Sequence, residues 1–179
     1  MTALIILIVQ FLVKETEKRE NMRRKDREVT DNSEITDIIR SCSCCRLGFY
    51  DKEADEVYIV PLSFGYEETA TQRIFYFHGA KVGRKVELLK ASPKVGFELD
   101  ADHELMRGAA ACNHSMKYKS IIGTGVAEII ENDDEKRRAL LTIMQQQTGQ
   151  SVWDIPYPML AAVCVFKLTV QKLSCKAHI

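Results

Sequence analysis

His78, Lys81, Arg84 and Lys85 sit close together in the stretch Ile74 to Pro93, IFYFHGAKVGRKVELLKASP. A histidine can give or take a proton near neutral pH. Arginine offers a planar fork suited to phosphate, and lysines add mobile point charges. The backbone setting decides what these side chains can do. Ile74-Phe75-Tyr76-Phe77 is a β-branched and aromatic run that predicts a strand. His78-Gly79-Ala80-Lys81 predicts a turn, because Gly79 tolerates backbone angles closed to other residues. Val82, Val86 and Leu89 recur at helical spacing, and Pro93 closes the segment. Gly83-Arg84-Lys85 then falls in the first helical turn, where unpaired N–H groups and the helix dipole favour an anion. Two readings fit this strand, turn and helix: a phosphate cradle beside an aromatic strand end, or a basic helix start in solvent. His78 likewise fits a proton donor beside such a phosphate, or a capping and packing residue.

Other candidate groups carry less. Lys117-Tyr118-Lys119-Ser120 is a second basic cluster with a ring able to stack, or a solvated strand end. Two such clusters framing apolar strands suit a ligand with an anionic tail and a flat aromatic head. Cys42-x-Cys44-Cys45, with Cys112-x-His114, is spaced too tightly for zinc and reads as ordinary thiols, so no metal is expected. No nucleophile elbow, HExxH or Walker loop occurs, and Gly123-x-Gly125 lacks the third glycine of a dinucleotide fingerprint.

The elements that must position these groups follow in order. Asp31 or Ser33 caps a helix through Ile35, Ile38 and Ile39, ending near Cys42. Cys45–Tyr50 and Val57–Phe64 predict two strands around a charged turn, with Pro61 confining the second to an edge or a bulge. A loop, Gly65–Thr71, leads into the aromatic strand. Lys94–Asp100 and Tyr118–Glu131 predict further strands, the latter bent or bulged at Gly123 and Gly125. Asp133 or Asp134 caps a helix that Gly149 stops. A loop over Gln150–Pro158 and a final strand over Ala161–Leu173 complete the pattern. Hairpin-like runs of strands favour a mainly β, α+β architecture, an antiparallel sheet closing into a small barrel with helices outside.

The 179 residues fit one domain with room for a core. Balanced charge, 25 basic against 25 acidic side chains, argues against a broad nucleic-acid surface while allowing a local anion site. Six cysteines are too few for a disulfide scaffold and fit a reduced, cytoplasmic setting. The opening MTALIILIVQFLV is too short to span a bilayer and makes a poor signal peptide. It and the charged stretch after it are expected to form an extension over residues 1–21, ahead of a domain over 22–179.

Arg46-Leu47-Gly48, Pro61-Leu62-Ser63-Phe64-Gly65-Tyr66, Tyr76-Phe77-His78-Gly79-Ala80, Gly83-Arg84-Lys85, Lys117-Tyr118-Lys119-Ser120 and Gly125-Val126-Ala127-Glu128 follow one another in this order. Together they resemble the pyridoxamine 5'-phosphate oxidase-like split barrels, and among these the nitroimidazole-resistance (Nim) reductases. The resemblance covers roughly Met22 to Leu173. It implies an antiparallel split β-barrel homodimer with FMN in a groove between subunits. By position, Arg84 and Lys85 match the phosphate-binding pair, with Gly83 before them. Phe77 and His78 match the strand end beside the flavin, and His78 the active-site histidine of the nitroimidazole-resistance branch. Tyr58, Ile59, Val60, Pro61, Leu62 and Ser63 match the strand along the isoalloxazine ring. Lys119 and Ser120 match a second basic and polar pair given by the partner subunit. The segment Lys172–Ile179 lacks the arginine- and tryptophan-rich tail with which true pyridoxamine-phosphate oxidases grip their substrate, so that activity is not expected.

The function so implied is an FMN-dependent oxidoreductase taking electrons from NADH or NADPH to a small acceptor such as a nitroaromatic. The alternatives are a flavin carrier without turnover and a structural anion-binding barrel.

Overall fold

The computed structural model describes residues 23–179, so the expected extension over residues 1–21 lies outside the described part. In chain order the elements are β1 (Glu28–Val29), α1 (Asn32–Ser41), β2 (Cys45–Asp51), β3 (Glu56–Leu62), β4 (Gly65–Glu68), β5 (Arg73–Ala80) and α2 (Arg84–Ala91). They continue with β6 (Lys94–Met106), β7 (Ser115–Ile129), α3 (Asp133–Thr148), α4 (Tyr157–Ala162) and β8 (Val163–His178). Asp31 caps α1 by accepting from the Glu34 amide at 2.9 Å, and α3 is capped in the same way by Asn132. Gly149 ends α3 in the left-handed region at φ 75°.

All strands pair antiparallel, in the order β3-β2-β6-β7-β8-β5-β4, with β1 added to the far end of β8. The two ends of that order, β3 and β4, are separated in sequence only by Ser63 and Phe64. The sheet therefore curls back on itself and leaves a seam at β3 and β4, which is the split barrel expected from the motifs. Pro61 sits on the edge strand β3, where its missing N–H costs no ladder bond.

Alternation fills the interior. Leu47 and Phe49 of β2, Phe75 and Phe77 of β5 and Phe166 of β8 are fully buried. Phe77 stacks on Phe166 with ring centroids 5.1 Å apart. On the outer face Tyr76 and Val165 pack under Ala139 and Ile143 of α3.

Several local expectations are corrected, among them the cap of α3, which is Asn132 and neither Asp133 nor Asp134. His78-Gly79-Ala80 is not a turn: β5 continues through Ala80, paired with β8, and the turn is Lys81–Gly83. Val82 is exposed in that turn and lies off the helix face. Residues 65–68 form a short strand, because their backbone pairs with β5 from Gly65↔Tyr76 onwards. Residues 157–162 are helical before β8, and β8 runs on to His178 because β7 and β1 both offer it partners.

Candidate functional site

β5 delivers His78, Gly79 and Ala80 to the barrel mouth opposite Val165, Cys164 and Val163 of β8. Gly83 then turns the chain into α2 at φ 120°, ψ 168°, a region closed to side chains. Among the described residues no side chain caps α2, and Gly83 O takes the amides of Val86 and Glu87, so the earliest helical N–H groups have no partner there. Gly83→Ala is expected to destabilise the protein by about 1–3 kcal/mol through backbone strain. Urea unfolding measures that loss, and an unchanged midpoint would show that the turn relaxes.

Consecutive helical residues diverge by about 100°, and Arg84 and Lys85 take different directions from the start of α2. Lys85 folds back to the barrel mouth. Its Nζ lies 5.8 Å from the centre of the Phe166 ring and against Gly79, where any Cβ would collide with it. Burial lowers its pKa, and among the described residues no carboxylate pairs with it. Among the described residues it is a half-buried ammonium without a counterion.

Arg84 turns the other way. Its Nη2 meets Asp51 at 2.9 Å and also Glu56, at the two ends of the β2–β3 turn. Its guanidinium carbon stands 4.9 Å from the centre of the Tyr58 ring. The arginine expected to face a phosphate is thus engaged by two acids of its own chain. Asp51 and Glu56 were read from sequence only as members of a charged turn, and no local pattern ties them to an arginine about thirty residues on.

His78 is exposed and follows the buried Phe77 on the opposite side of β5, the side shared with Tyr76 and with Val165 across the ladder. The protein atoms around it withdraw water, and that, followed by the Lys85 charge, pushes its pKa below the usual histidine value. It is therefore neutral at pH 7, with one ring nitrogen able to donate and the other to accept.

The remaining expected residues divide. Tyr58, Val60 and Leu62 face inward and pack on the core, whereas Ile59, Pro61 and Ser63 are exposed. Residues that alternate across a strand cannot all face one ligand, so a ring along β3 must meet its free backbone edge or only half of these side chains. Phe77 is fully buried and reaches the site only through its main chain. Lys119 and Ser120 lie on β7, paired with Ala177 and Lys176 of β8, and Lys119 bonds Asp102 at 2.8 Å. From Val165, opposite His78, to Ala177 the path along β8 is roughly 40 Å. Within one protomer the two basic clusters do not meet.

The field around α2 is positive on its other side too. Lys81, Lys90 and Lys136 line a cavity of ≈190 Å³ above Cys164, with Glu131 as its acid. All six cysteines are free, and burial raises the pKa of Cys164 and pushes Cys42 up to about 11. Among the described residues no helix is long and apolar enough to cross a membrane.

A family model described as pyridoxamine 5'-phosphate oxidase matches residues 31–177. No curated protein matches the chain. Among solved structures the chain is similar to a candidate 5-nitroimidazole antibiotic resistance protein from Bacteroides thetaiotaomicron VPI-5482. That likeness has 31% identity and a TM-score of 0.72, and covers 83% of this chain and 85% of the other. The flavocytochrome Anf3 from Azotobacter vinelandii has 17% identity, a TM-score of 0.71 and coverage of 89% and 72%. An FAD and haem binding protein from Mycobacterium smegmatis has 16% identity, a TM-score of 0.70 and coverage of 84% and 73%. At those two identities the likeness speaks for the fold.

Proposed function

The chain belongs to the pyridoxamine 5'-phosphate oxidase family, and from that premise we propose that it is an FMN-dependent oxidoreductase passing electrons from NADH or NADPH to a small acceptor. The observation that carries the reading is the Lys85 ammonium beside the start of α2, with neither an acid partner nor a side-chain cap among the described residues, a donor set suited to a doubly charged phosphate ester. Amides of the α2 start and Lys85 hold the phosphate. The free edge of β3, with Tyr58, Val60 or Leu62 behind it, offers backbone groups to a flat ring. Bound flavin would supply the two-electron redox chemistry, and these residues would hold and orient it.

His78, neutral and beside the site, donates a hydrogen bond to the acceptor. A nitroimidazole or other nitroaromatic is the proposed acceptor, supported by the 31% identical relative. Lys119 and Ser120 join the site from a second copy, since their own site lies too far along β8; the working unit is then a homodimer. Residues 22–179 form the flavin-binding domain behind the extension, and the free thiols suit a cytoplasmic setting.

Lys85→Ala is expected to weaken FMN about tenfold to a hundredfold, the worth of a charge-assisted hydrogen bond. Riboflavin, which lacks the phosphate, is expected to bind the variant as it binds the wild type. Fluorescence titration with both ligands reads this directly, and equal losses would move the phosphate elsewhere. Anaerobic mixing with NADH or NADPH then separates an enzyme from a carrier: bleaching of the flavin band marks the enzyme.

A further inference from the structure

We propose that Arg84 is a positioning residue, which clamps the β2–β3 hairpin to the start of α2 and so fixes the spacing between the anion-binding and ring-binding parts of the site, and that it is not a phosphate ligand. The assignment rests on the flavin reading above and concerns how the two halves of that site are held together.

The contacts of Arg84 use both of its recognition surfaces. One guanidinium nitrogen bridges Asp51 and Glu56, which face each other across the neck of the hairpin. The flat face lies over Tyr58, the residue of β3 nearest that neck on the inward side. Asp51 is itself fixed, since its other oxygen accepts the amides of Glu53 and Ala54 at 3.1 and 3.2 Å. The tip is braced again where Tyr50 donates to Asp55 at 2.6 Å. Three contacts from one side chain therefore fall on both strands of one hairpin.

A phosphate placed on Arg84 would stand beside two carboxylates and be repelled by them. Lys85, one residue on, has no acid partner among the described residues and points to the barrel mouth. The adjacent basic residues thus have separate duties: Lys85 meets the anion, and Arg84 holds the strand that meets the ring. β3 needs such a hold because it is an edge strand, bonded on one side only to β2.

The test is the double variant Asp51→Asn with Glu56→Gln, which keeps shape and removes both charges, studied beside Arg84→Ala and Arg84→Lys in the full chain. Titrations use FMN and riboflavin. A clamp predicts that the double variant weakens both ligands by a similar factor, about threefold to tenfold. Arg84→Ala is expected to do the same, and Arg84→Lys to rescue little, because the stack and the bridging nitrogen are lost. Tighter FMN binding by the double variant, from an arginine released to the phosphate, would overturn the proposal. So would a loss in Arg84→Ala confined to FMN, or full rescue by lysine. Hydrogen exchange of the Val57–Leu62 amides without ligand gives an independent readout. Faster exchange in the double variant supports the clamp and unchanged exchange overturns it. If the wild type binds neither flavin, the functional reading fails while exchange still decides the clamp.

Discussion

His78→Ala is expected to retain the flavin absorbance and to lower turnover about 10²–10⁴-fold, the usual worth of a placed proton donor or acceptor. The side chain is not part of the interior: Phe75 and Phe77 fill the core of β5, and His78 follows them at the mouth. Removing it leaves the sheet, the α2 start and Lys85 in place. The pH dependence carries a second signature. Burial and Lys85 lower the folded-state pKa of His78, so the unfolded chain takes up its proton first as pH falls. The stability contributed by a neutral His78 is present above the ordinary histidine value near 6.5 and is lost as pH drops through the lowered folded value. His78→Ala should flatten that acid limb, and Lys85→Ala should shift it upward by removing the neighbouring charge. Stopped-flow turnover and urea unfolding between these limits read both effects. Wild-type turnover in the alanine variant would leave His78 a packing residue.

Phe77→Ala is expected to cost about 3–5 kcal/mol of folding free energy, because the ring is fully buried and the barrel wall cannot collapse into its place. That is a large share of the roughly 5–15 kcal/mol that stabilises a typical domain. The loss should also reach the site. Phe77 stacks on Phe166, and Phe166 is the ring beneath the Lys85 ammonium. A cavity at Phe77 frees Phe166 to shift, so FMN binding should weaken even where the variant stays folded. Urea unfolding gives the first quantity and FMN titration on the folded fraction the second. A loss below about 1 kcal/mol would show that the cavity closes by repacking.

The sequence made some of this plain. The β2–β3 hairpin was legible because alternating runs flank a turn dense in charge, and Pro61 marked β3 as an edge. The barrel was legible because strands outnumber the helices needed for a parallel sheet. Gly79 misled for a physical reason: glycine marks a turn, but here it stays in the strand, and its missing side chain makes room for Lys85. β6 ran past its expected end at Asp100 because a register shift between Ala101 and Glu104, with Asp102 at φ 57°, lets pairing resume beyond it. The candidate site was legible as a neighbourhood of His78, Gly83 and two basic residues. That Arg84 is paired with acids was not legible, since those acids come from the distant hairpin. Alternation separates Tyr58 from Ile59 already in the sequence, but which face of β3 turns inward was not legible.

The late position of β8 has a bearing on how the polypeptide is made. β8 hydrogen-bonds to β1, β5 and β7, so it is the stave on which three earlier segments depend. On the ribosome, β5 and β7 must wait with bare edges until the sixteen residues of β8 emerge. A nascent chain in that condition invites chaperones and mispairing, and its ring can shut only once β8 has emerged.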